Sequence, residues 1–100
     1  MTWHRTLAVF FAGVFAANFV PHFVSGITGN PFPSPFADPP GFGNSSPLTN
    51  VLWGSANLAL GYGLSRYGRL SASSRVTLCA FFLGVLTMAV VLSQGFSHRG

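Results

Sequence analysis

His22 and Asp38 are the residues of this chain best suited to proton chemistry, and Asn18, Asn50 and Asn57 are best suited to holding a polar ligand. General acid–base work needs a second titratable group within hydrogen-bond reach. Asp38 is the only acidic residue in the chain, so any such pair must join it to His22. No nucleophile–base–orienter set is visible. His22, Asp38 and His98 fall on one side of the membrane in the topology derived below, so they could converge on a metal. No CxxC, HExxH or haem-attachment spacing accompanies them, and no metal site is expected. Cys79 stands alone inside an apolar segment and is expected to be a small buried residue. Gly41-Phe42-Gly43 lacks the Lys-Ser/Thr of a phosphate loop and follows no strand. Gly61-Tyr62-Gly63 resembles a channel filter only superficially, because it falls within a helix. These readings favour a protein that is not an enzyme, and no cofactor is implied.

The elements that position these residues follow from composition. Of 100 residues, 49% are hydrophobic and 6% charged. A soluble domain carries roughly 25% charged residues. So little charge cannot cover a soluble globule, and the class is integral membrane. The formal charge of +4 comes from five arginines scattered at positions 5, 66, 69, 75 and 99, which form no basic patch for nucleic acid.

Three apolar stretches are long enough to span a hydrocarbon core of about 30 Å. The first lies near 4–26, the second near 47–65 and the third near 76–96. A charged start and an apolar run of this length also describe a signal peptide, with a small-residue cleavage site at 14–16. Apolar character resumes after Pro21 and continues to Ile27, so an uncleaved helix is expected, kinked near Ala17–Val20 because Pro21 lacks an N–H. Ser45 and Ser46 can cap the second helix, with Pro47 at its first position. The expected fold is therefore an all-α, three-transmembrane-helix bundle forming one domain. Its first two helices are joined by a Pro/Phe/Gly-rich loop over 27–46.

Arginine placement sets the orientation. The 66–75 connection holds three arginines and the 27–46 connection none. The positive-inside rule then makes 66–75 cytoplasmic, the N-terminus cytoplasmic, and the 27–46 loop and the C-terminus extracytoplasmic, as in a bacterial inner membrane.

Helical spacing aligns Asn18, His22 and Ser25 on the first helix. It aligns Asn50, Gly54, Asn57 and Gly61 on the second, and Thr77, Ala80, Gly84 and Thr87 on the third. Small residues let membrane helices approach closely, and buried asparagines need hydrogen-bond partners. All three stripes are expected to face inward in a compact bundle. The asparagines then act as interhelical glue or, with His22 and Asp38, as the wall of a polar pocket in the outer half of the membrane. His4 is expected to be solvated at the opposite end.

The loop sequence GNPFPSPFADPPGFGNSSP alternates proline with phenylalanine. Pro31, Pro33 and Pro35 stiffen it into extended or turn structure. Asp38 is expected to close an Asx turn before Pro39 rather than pair with His22 or Arg99. Phe32, Phe36 and Phe42 are too apolar to stand in water and are expected to cap the bundle or dock a partner. The preferred function is contact: a non-catalytic accessory subunit of a larger membrane complex, of respiratory or light-harvesting type, or a homo-oligomer. The alternative is a ligand-binding or transport protein using the outer-half pocket.

Overall fold

A computed structural model describes residues 2–41 and 43–97. The chain is mostly helical. Helix α1 runs Trp3–Ile27, α2 Pro47–Tyr67 and α3 Arg75–Ser97. Helices α1 and α3 are long and apolar enough to cross a membrane by length and composition. Helix α2 is of similar length, but two asparagines, three glycines and two serines make it more polar.

Local chemistry explains the helix ends. Helix α1 stops where Gly29 takes φ +76° and the Asn30 N–H reaches back to the Ser25 carbonyl, a Schellman closure. The Ser46 hydroxyl accepts from the Thr49 N–H at 3.1 Å, and Pro47 opens α2. The Ser74 hydroxyl accepts from the Thr77 N–H at the start of α3. Helix α1 remains helical through Pro21.

Helix α1 is the centre of the array. It packs along both α2 and α3, while α2 and α3 make no extended contact with each other. The α2 stripe of Asn50, Gly54, Asn57 and Gly61 is buried as expected, but with α2 and α3 apart the three stripes do not meet in one compact bundle. The crossing of α1 and α3 centres on Gly13 and Gly84. A Cβ on Gly84 would strike the Phe10 carbonyl oxygen, and one on Gly13 that of Phe81. Two glycines facing each other fix the rotation of α3, so its buried residues are Thr77 and Gly84 while Thr87 turns outward. Cys79 is likewise exposed rather than buried. The second crossing uses Gly26, Gly54 and Gly61, each backed by the opposing helix.

The connection between α1 and α2 is a folded cap. Two short strands, β1 (Phe32–Pro33) and β2 (Asn44–Ser45), pair antiparallel with Phe32 opposite Ser45. The Ser34 and Ser45 hydroxyls meet at 2.6 Å, and the Ser34 carbonyl accepts from the Ala37 and Gly41 N–H groups. Pro33 and Ser34 are fully buried. The prolines leave few N–H groups to satisfy, so a two-residue ribbon and serine hydroxyls suffice to close the cap. The sequence reading did not foresee this ribbon.

The two ends of the molecule are distinct. Near the start of α1, His4 Nδ1 lies 2.7 Å from the Tyr67 hydroxyl, and Arg5 donates to the Tyr67 carbonyl at 2.6 Å. His4 is thus engaged with α2 rather than merely solvated. At the other end Phe32 packs on Phe96, with ring centroids 4.8 Å apart. The three helices therefore run up, down and up. Large apolar side chains including Phe11, Val20, Leu52, Phe82, Leu86 and Val90 are exposed around the array, a surface suited to lipid.

Candidate functional site

The chemistry-bearing residues gather where the cap meets the helices. Asn50 sits in the first turn of α2 and is completely buried. Its Nδ2 group lies 2.9 Å from the Phe32 carbonyl, 3.3 Å from that of Ser45 and 3.2 Å from that of Ser46. Three carbonyl neighbours identify that atom as the donor. Its Oδ1 must therefore be the acceptor, and it lies 2.8 Å from His22 Nδ1. Because Oδ1 can only accept, His22 Nδ1 carries the proton. One side chain thus ties α1, the ribbon and α2 together.

The same logic orients the second asparagine pair. Asn57 Nδ2 donates to the Trp53 carbonyl at 2.7 Å, and Asn57 Oδ1 accepts from Asn18 Nδ2 at 2.9 Å. Asn57 is completely buried. Asn50 and Asn57 are therefore structural ties between helices, and neither offers an open polar atom to a ligand.

Asn18 and His22 keep free polar capacity. Both line a cleft of about 260 Å³ bounded by the cap residues Pro33, Ser34, Pro35 and Gly41 and by Trp53, Met88 and Phe96. His22 is only 4% exposed. Its Nε2 has no hydrogen-bond partner among the described residues. With Nδ1 carrying the proton, Nε2 of the neutral ring presents a lone pair. The Trp53 indole packs edge-on to His22 at 6.3 Å, and its Nε1–H is buried with no hydrogen-bond partner. Buried polar groups are normally paired, so this N–H is an exception among the described residues. Sequence reasoning missed Trp53 because an indole near a helix start reads as an interface anchor.

The other candidates separate from this cluster. Asp38 is exposed and makes no hydrogen bond or ion pair among the described residues. Its turn is closed by backbone groups, with the Gly43 N–H donating to the Pro39 carbonyl, rather than by an Asx turn. Phe32 turns inward between His22 and Phe96. Phe36 is 67% exposed and rests edge-on against Trp53. Phe42, His98 and Arg99 lie outside the described residues, and the suggested docking, metal-ligating and ion-pairing roles for them lie there too. Among the described residues, no three His, Cys, Asp or Glu side chains come together around a metal-sized space. No family model, no curated protein and no solved structure matches this chain.

Proposed function

We propose that the chain is a three-crossing membrane protein that acts by contact, as an accessory subunit of a larger complex of respiratory or light-harvesting type or as a homo-oligomer. It resides in a bacterial inner membrane with its N-terminus cytoplasmic, its cap outside and α2 as the middle crossing. The observation that carries this reading is the open helix array. With α2 and α3 both resting on α1, α1 and α3 leave a groove of about 460 Å³ lined by Ala17, Val20, Pro21, Val85, Ala89, Leu92, Ser93 and Phe96. Small residues at Ala17, Ala89 and Ser93 admit the close approach by which transmembrane helices associate. The occupant in this reading is a transmembrane helix of a partner subunit or of a second copy.

Two further facts support the reading, the first its orientation and the second its crossing of the membrane. Arg5 contacts Tyr67, so the arginines of the N-terminus and of the 66–75 connection share one end of the molecule. The long dimension of 41 Å matches a bilayer of about 40–45 Å including its headgroup regions.

Purification from the native membrane in a mild detergent, followed by native mass spectrometry, tests the reading. A stoichiometric partner chain or at least two copies is expected. Ala89→Leu fills the groove without touching the helix crossings and is expected to release that partner. A lone monomer, unchanged by the substitution, would contradict the proposal.

A further inference from the structure

Helices α2 and α3 both rest on α1 and not on each other, and they leave a slot between them at the end of the molecule that carries the 66–75 connection. Its floor is Ala12 and Ala16 of α1, and its walls are Leu58 and Tyr62 of α2 and Phe81 of α3. Its volume is about 240 Å³. From Leu58 to Ser65, which also lines it, the slot runs about 10 Å along α2, roughly two-thirds of a hydrocarbon leaflet. Spreading 240 Å³ over about 10 Å gives a mean section of about 24 Å², whereas a helix about 10 Å across needs roughly 80 Å². An extended hydrocarbon chain fits such a slot and a transmembrane helix does not. The slot shares no lining residue with the groove between α1 and α3.

Two arginines stand at its mouth. The Arg66 guanidinium lies over the ring of Tyr62, 6.0 Å from the centroid. Leu70 closes the slot at this end, and Arg69 precedes it at φ 59°. Glycine is the usual residue in this left-handed conformation after a helix. The glycine here is Gly68, one position earlier, where a Cβ would strike Val9 and the Arg5 carbonyl. A strained backbone position thus holds an arginine beside the slot. Among the described residues neither guanidinium makes a hydrogen bond or ion pair, whereas that of Arg5 is engaged with Tyr67. The only acidic side chain of the sequence, Asp38, lies in the cap beyond the far end of α2, a helix about 30 Å long. That is several Debye lengths of about 8 Å, so no acidic side chain neutralises this end.

We infer that this end of the protein holds an anionic glycerophospholipid of the phosphatidylglycerol class. One acyl chain lies in the slot between α2 and α3, and the phosphate at the membrane surface accepts hydrogen bonds from Arg66 and Arg69. A zwitterionic headgroup brings its own ammonium against two unneutralised guanidinia, so net negative charge is selected. The inference rests on the reading that α2 crosses the membrane, and not on what occupies the groove between α1 and α3.

The test uses the full chain in phosphatidylcholine nanodiscs containing phosphatidylglycerol with a diazirine in one acyl chain. After irradiation, peptide mass spectrometry maps the adducts. They should concentrate on Leu58, Tyr62 and Phe81, and unlabelled phosphatidylglycerol should compete for them about twentyfold better than phosphatidylcholine. Arg66→Gln and Arg69→Gly should each cut that preference about fivefold, the effect of one arginine near the surface on an anionic lipid. Arg69→Gly also relieves the left-handed backbone, so its loss of preference is not a loss of fold. Ser65→Leu keeps every arginine, fills the slot and should displace the adducts from it. Arg75 stands six residues before Phe81, about 120° round α3 from the slot, so Arg75→Gln should leave the preference unchanged. An equal loss with Arg75→Gln would mean diffuse charge attraction and would overturn the inference. So would equal competition by phosphatidylcholine, or competition by inorganic phosphate as strong as by phosphatidylglycerol. Adducts confined to outward residues of α2 such as Leu60 would overturn it too, while leaving the crossing of α2 intact. Adducts on α1 and α3 with none on α2 would overturn that crossing and the inference with it.

Discussion

Replacing Asn50 by leucine is expected to destabilise the protein by about 3 kcal/mol, more than any other asparagine substitution. Leucine matches the volume roughly but removes the donor that serves the Phe32 and Ser45 carbonyls and the acceptor for His22 Nδ1–H. Each buried polar group left without a partner costs about 1–3 kcal/mol, and leucine's apolar packing offsets part of the total. The Ser46 carbonyl is less affected because it also accepts from the Asn50 backbone N–H. Asn57→Leu should be milder, near 1 kcal/mol, in the range measured for interhelical hydrogen bonds in membranes. It strands only a half-buried Asn18 amide and a helical carbonyl. Unfolding by dodecyl sulfate in mixed micelles measures the difference, and protease sensitivity of 28–46 shows whether the cap has come loose. Equal costs for the two substitutions would mean that Asn50 does not anchor the cap.

The second large effect is expected at the α1–α3 crossing. Gly13→Ala and Gly84→Ala each place a methyl group against a backbone carbonyl of the opposing helix, where no rotamer change can make room. The helices must separate, at a cost of about 1–3 kcal/mol for either change. Once they have separated, the second methyl meets less resistance. The double variant should therefore cost clearly less than the sum of the singles. Gly63 and Gly95 are internal controls, because a Cβ at either meets open space. Alanine there should be neutral or stabilise by up to about 1 kcal/mol through helix propensity. The same sulfate titration reads all five proteins. A Gly84→Ala variant as stable as Gly95→Ala would place the crossing elsewhere.

Much of this architecture is legible in the sequence. The three apolar runs and the Ser46-Pro47 start of α2 are set by local chemistry that acts within a few residues. The asparagine stripes also announce interhelical bonding, since a buried amide in lipid has few alternatives. What is not legible depends on which residues from distant parts of the chain meet. The rotation of α3 is set by Gly13 against Gly84, so a periodicity argument that counted Thr87 with Thr77 chose a face displaced from the real contact. Residue type alone places Cys79 inside, and it carries no information about the rotation of α3. The ribbon of Phe32–Pro33 with Asn44–Ser45 is too short to carry a strand pattern. Asn50, eighteen residues away from Phe32, ties it to α2. The candidate ligand residues divided once hydrogen-bond directions could be followed: Asn50 and Asn57 are used up, His22 and Asn18 are open, and Asp38 is elsewhere.

The central claim is that the chain crosses the membrane three times with the cap outside and the 66–75 connection inside, and cysteine labelling tests it most directly. In a Cys79→Ala background, single cysteines are introduced by Asp38→Cys in the cap and Ala72→Cys in the arginine-bearing connection, both at exposed positions. Intact cells are treated with a membrane-impermeant maleimide before and after permeabilisation. The account predicts that position 38 labels in intact cells and position 72 only after permeabilisation. Labelling of both positions from outside would mean that α2 does not cross, and labelling of position 72 alone would invert the protein; either result contradicts the account.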